Sequence, residues 1–147
     1  MSLKDRLLED MKSAMKEKDT IRKSTITMVR ASILQKEKDE KVKLDDAGVV
    51  GIIAKEVKQR RDSIPEFERG NRPDLVDELN TEINILMEYL PQQLTEKEIE
   101  KIVVQTISEV GATGMKDMGK VMGALMPRLK GRADGKLING IVRKHLQ

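Results

Sequence analysis

The stretch Gly114-Met-Lys-Asp-Met-Gly119-Lys120-Val121 comes close to the phosphate-cradling pattern G-x-x-x-x-G-K-S/T. In such a loop, backbone N–H groups surround the phosphates, the Lys neutralises them and the hydroxyl ligates magnesium. Val121 has no hydroxyl, and a helical rather than a strand pattern precedes Gly114, so nucleotide binding of this kind is not expected. His145 is the only histidine and lies two residues from Gln147. Helix ends fray, so a solvated imidazole is expected there rather than a general base. Ser63 and Ser108 have no neighbouring base to activate them as nucleophiles. Asp74, Asp77, Glu78 and Glu82 read as the outer face of an amphipathic helix. Cys is absent, which excludes disulfides, thiolate nucleophiles and zinc-finger sites. The sequence predicts no catalytic residue, cofactor or metal.

Two basic groups remain. Lys58, Gln59, Arg60 and Arg61 form a knot, followed by Arg69 and Arg72. Lys58 and Arg61, three apart, share a helical face. They suit phosphates, or ion pairs with Asp62, Glu66 and the acidic helix after Pro73. The second group lies between Met115 and Lys130. At roughly 100° per residue, Val121, Leu125, Leu129 and the methionines 115, 118, 122 and 126 fall on one side. Gly119, Gly123, Lys116, Lys120 and Pro127 fall on the other. The methionine stripe reads as core, or as an adaptable groove for a partner. Each interior Gly costs about 1 kcal/mol of helix propensity relative to Ala. Two of them four apart beside two lysines imply a face kept low for another backbone. That backbone is either a neighbouring helix or a phosphodiester chain.

The elements that position these residues are all helical. Leu3, Leu7, Leu8, Met11, Ala14 and Met15 recur at helical spacing, as do Ile26, Val29, Ile33 and Leu34. Gln35 to Lys43 is nearly all charged and is expected to fray or turn. Asp45 or Asp46 caps a long helix that Pro65 should kink or stop. Gly70 ends it, and Pro73 suits the first turn of the next. Leu90-Pro91 closes that helix. Thr95-Glu-Lys-Glu98 is a capping box, with Gly111 past the end of its helix. A helix from Met118 to about Met126, a turn at Lys130 to Gly135 and a last helix complete the chain. The expected fold is all-α: an N-terminal helical domain, residues 1–92, and a small C-terminal three-helix domain, residues 93–147, hinged at Pro91.

Charge is unevenly distributed along the chain. Residues 72–110 carry three Lys or Arg against nine Asp or Glu, a net of −6; residues 111–147 carry eight against two, a net of +6. A basic tail suits a polyanionic partner, or simply a solvated surface. Only Phe67 and Tyr89 are aromatic, which rules out the base-stacking platforms of RNA-recognition motifs and oligonucleotide-binding barrels. No window approaches the roughly 18–20 apolar residues that span a bilayer. The first helix mixes acidic and basic residues, unlike a signal or transit peptide. A cytoplasmic protein with no membrane partner is expected.

Tyr89-Leu-Pro-Gln-Gln-Leu94, Thr95-Glu-Lys-Glu98, Asp117-Met-Gly-Lys-Val-Met-Gly123 and Lys130-Gly-Arg-Ala-Asp-Gly135 resemble the YqeY-like family. So do Lys58-Gln-Arg-Arg-Asp-Ser63 and Arg72-Pro-Asp-Leu75. Residues from about 93 onward also resemble the tail of the B subunit of glutamine-dependent aminoacyl-tRNA amidotransferase, a helical region implicated in gripping tRNA. The resemblance implies an all-helical two-domain protein whose C-terminal unit meets tRNA or another structured RNA. The RNA-binding residues would be Lys116, Gly119, Lys120, Gly123, Lys130, Arg132 and Lys136, with Lys58, Arg61, Arg69 and Arg72 as a secondary basic patch. It does not bring the amidotransferase chemistry, since the domain that precedes the tail there has no counterpart in these residues. Three readings stay open: a non-catalytic tRNA- or RNA-interacting module that docks on translation machinery; an accessory subunit of an amidotransferase-type carbon–nitrogen ligase that uses glutamine as amido donor; and a helical adaptor that meets other proteins through its methionine-rich face.

Overall fold

Five of the seven helices of the chain begin at a residue whose side chain accepts one of the orphan amides of the first turn. A computed structural model describes residues 1–147. In order, α1 spans Leu3–Glu17, α2 Thr20–Glu40, α3 Asp46–Arg69, α4 Pro73–Met87 and α5 Glu96–Val110. A 3-10 turn at Met115–Asp117 leads into α6, Met118–Leu129, and α7 spans Gly135–Leu146. There is no strand, and the fold is all-α. Ser2 and Asp5 form a capping box on α1, and Thr95 and Glu98 form the expected one on α5. Asp19, Asp45 and Asp134 accept from the amides of Arg22, Gly48 and Lys136 to open α2, α3 and α7. Gly111 ends α5 at φ 67°, the left-handed conformation in which glycine carries no steric penalty.

The chain forms two compact units, Met1–Leu90 and Pro91–Gln147. In the first, α1 packs on α2, α3 on α4, and α2 on α4. Leu7, Ile26, Val29, Val49, Ile53 and Leu86 are buried at its centre, each contributing on the order of 1.5–3 kcal/mol. Two polar contacts tie this aliphatic core together. The buried Tyr89 hydroxyl donates to the Asp10 carboxylate, and the Arg6 guanidinium lies 4.8 Å from the Tyr89 ring centroid. Arg60, only 7% exposed, pairs with Glu56 at 2.7 Å and reaches Glu82 on α4 at 3.5 Å. In the second unit, Ile99 and Val103 of α5 meet Val121, Leu125 and Leu129 of α6 and Ile138 and Val142 of α7. The Leu94 amide donates to the Arg132 carbonyl at 2.9 Å, and Gln93 Nε2 donates to the Gly131 carbonyl at 2.7 Å. These bonds fasten the 93–94 segment to the α6–α7 turn.

Three boundaries differ from the sequence expectation. The charged stretch after Gln35 does not fray, because α2 continues to Glu40. Gln35 bonds Asp39 one turn on at 2.8 Å, and Glu37 takes both the Lys4 ammonium and the Leu44 amide. Pro65 does not stop α3, which runs on to Arg69. Proline removes one amide donor, and Pro65 is exposed, so water can reach the Arg61 carbonyl that loses its partner. Likewise α6 passes Met126 and Pro127 because Leu129, fully buried, anchors its last turn.

Candidate nucleic-acid interface

The geometry of α6 follows from three apolar residues spaced four apart. Val121, Leu125 and Leu129 are fully buried, which turns the opposite side of the helix to solvent. Gly119, Lys120, Gly123 and Pro127 lie on that outer side, and Lys116 precedes them in the 3-10 turn. A Cβ added at Gly119 or Gly123 would meet nothing within 4 Å. No neighbouring helix of the second unit fills the glycine face. It is open, with two lysines beside it.

Asp117 adds a negative charge next to them. Its carboxylate accepts from the Thr113 amide at 2.9 Å and from the Thr113 hydroxyl at 3.4 Å. The amide bond, with Lys116 and Lys120 nearby, holds its carboxyl below the ordinary value, so it stays ionised. Three charges therefore leave a local excess of one positive.

The other expected residues are spread along the unit. Lys130 is exposed directly after α6, and Arg132 is half-buried in the turn. The Arg132 amide is spent on the Leu129 carbonyl at 2.9 Å, so it is not free to serve an anion. Lys136, exposed in the first turn of α7, lines a separate cleft with Glu96, Glu100, Gly140 and Lys144. The structure thus gathers Lys116, Gly119, Lys120 and Gly123 on one face, continues it to Lys130, and sets Lys136 among carboxylates. Sequence reasoning passed over Arg143 and Lys144, exposed in the last turn of α7; their signal was the excess of basic residues in the tail. Arg128, counted in that excess, is engaged on α5 by Thr106 at 3.0 Å and by Glu109. His145 is not simply solvated, since its Nε2 lies 2.9 Å from Glu100 Oε1.

The secondary patch, in the first unit, is largely paired within the chain. Lys58 meets Asp62 at 3.6 Å, and Arg72 makes two bonds to Asp74, at 3.1 and 3.2 Å. Arg61 Nη2 rests 3.8 Å from the Met87 sulfur, while Arg69 is exposed in the last turn of α3. Met118 and Met122 pack against the core of the second unit, and Met115 and Met126 are exposed. The methionine stripe is therefore half core and half surface. No helix is long and apolar enough to cross a membrane, and no three His, Cys, Asp or Glu side chains converge as metal ligands.

The chain is similar in sequence to several known proteins. The mitochondrial protein named altered inheritance of mitochondria protein 41 from Pyrenophora tritici-repentis is 32% identical over 130 residues, 87% of this chain and 71% of the relative. Its namesake from Kluyveromyces lactis is 42% identical over 108 residues, 71% of this chain and 58% of the relative. The chain thus spans between half and three quarters of the length of these relatives. A component of glutamyl-tRNA(Gln) amidotransferase from Thermococcus gammatolerans is 43% identical over 58 residues, 40% of this chain but only 9% of that component. A family description, Yqey-like protein, matches residues 4–146 from α1 to the end of α7, and the chain belongs to the YqeY-like family.

Proposed function

We propose that this chain is a non-catalytic RNA-interacting module whose second unit receives the backbone of a tRNA or similar folded RNA on the outer face of α6. The observation that carries this reading is the open lysine–glycine face. Gly123, inside α6, sacrifices about 1 kcal/mol of propensity relative to alanine, Gly119 lies in the first turn of the same helix, and a Cβ at either would meet nothing within 4 Å. Close approach by an outside partner is what such a face permits. Lys116, Lys120 and Lys130 supply charge for phosphates, Gly119 and Gly123 supply clearance, and Arg132 adds charge in the turn that follows, while Lys136 stands apart beside Glu96 and Glu100. With so few aromatics, affinity rests on counterion release rather than on stacking or base reading. The name of the Thermococcus relative, a tRNA amidotransferase component, supports a tRNA as the polyanion. That relative also motivates a second reading, an accessory subunit of an amidotransferase-type enzyme whose partner supplies the chemistry. The compartment is one that contains tRNA; the cytoplasm is the sequence expectation, whereas the names of the fungal relatives assign those proteins to mitochondria.

The test is a pair of measurements on Gly123→Leu. On the RNA reading, tRNA affinity falls because bulk blocks approach, while the melting temperature holds or rises because leucine favours helix. Retained tRNA affinity would contradict it. Stimulation of a purified amidotransferase by this chain, without tRNA binding by the chain itself, would favour the second reading.

A further inference from the structure

An apolar cleft in the first unit lies between the start of α1 and the second half of α2, with Leu7, Leu8, Ile33 and Leu34 in its walls. Leu34, 63% exposed, forms part of its rim. The cleft holds about 170 Å3. An apolar cavity of roughly 150 Å3 accommodates benzene, so there is room for about six carbon atoms.

Four charged residues border it, and three are satisfied within the chain. Lys4 pairs with Glu37, and Glu37 also accepts the Leu44 amide at 2.7 Å. Asp5 is held in the capping box with Ser2. Arg30 differs. Its Nη1 meets only the thioether sulfur of Met11, at 3.4 Å, which is a weak acceptor, and no carboxylate of the chain pairs with it. A guanidinium is matched in shape and charge to a carboxylate. In a chain with 25 acidic residues, this one borders an aliphatic cleft without such a partner. An aliphatic body joined to a single carboxylate meets both demands.

We propose that the cleft binds a free short-chain aliphatic carboxylate, its anionic end on Arg30 and its chain between Leu8 and Leu34. The site is independent of α6 and of RNA. The experiment is a heteronuclear NMR titration of the full chain at pH 7 with butanoate, hexanoate, octanoate and, as the uncharged control, 1-hexanol. Amide shifts should centre on Leu8, Arg30 and Leu34. Binding should tighten about threefold to fourfold per methylene until the cleft is filled near six carbons, then level off. Hexanoate should bind about tenfold more tightly than 1-hexanol. Arg30→Gln should weaken hexanoate by a similar factor, leave 1-hexanol unchanged and keep the dispersed wild-type spectrum. Equal binding of hexanoate and 1-hexanol, shifts centred elsewhere, or no saturable binding would each overturn the proposal. The comparison of the two probes on the wild-type chain decides the matter even if the Arg30 variant does not fold.

Discussion

Tyr89 and Asp117 show how single polar groups set stability and charge in an aliphatic protein. Burial first, and the bond to Asp10 second, push the Tyr89 hydroxyl above its ordinary value of 10.0. A folded-state value above the unfolded one means that the neutral phenol stabilises the fold fully below about pH 10. That contribution is lost as pH rises further, because the unfolded chain ionises first. Tyr89→Phe should destabilise the protein by about 1–2 kcal/mol at neutral pH. The gap in melting temperature between wild type and variant should shrink between about pH 10 and 11.5; a gap independent of pH would contradict this account. Asp117 bears instead on the proposed RNA surface. Asp117→Asn keeps an acceptor for the Thr113 amide but removes the negative charge beside Lys116 and Lys120. Affinity for tRNA should then rise a few-fold in a filter-binding titration, the opposite sign to loss of either lysine.

For the helices, the useful contrast is between ends and interiors. The caps at Thr95–Glu98 and Asp45 and the Gly111 terminator were legible because they depend on a few neighbouring residues with fixed roles. The continuation of α2 to Glu40 was not, because it depends on Lys4, 33 residues away from its partner Glu37. Nor was the burial of Arg60. In the sequence it belongs to the basic knot, and only the folding of α4 onto α3 brings Glu82 to it. At the candidate interface, the lysine–glycine face was legible from periodicity, but its openness was not, since a neighbouring helix fitted the same pattern. The open face carries its own prediction. Replacing Gly119 and Gly123 together by Ala should raise the melting temperature, by about 1 kcal/mol in stability and mostly through the interior Gly123, since a Cβ at either position meets nothing within 4 Å. A fall in melting temperature would show that something packs there after all.

Taken as one chain, the protein joins a polar, internally paired first unit to a basic second one. We propose that the second unit folds alone and that Gln93 and Leu94 belong to it. A fragment of residues 91–147 should melt cooperatively. One that starts at residue 95 loses the bonds to Gly131 and Arg132 and should be less stable by about 1–3 kcal/mol; equal stability would leave those bonds without consequence. The role in RNA binding is tested most directly by the salt dependence of tRNA affinity. Plotted as log K against log salt concentration, the wild-type chain should give a steep line. Replacing Lys116 and Lys120 by Ala should lower affinity for every tRNA tested by a similar factor and flatten the slope by about one to two units. An unchanged affinity and slope in that double variant would contradict the assignment of α6 as the RNA-facing surface.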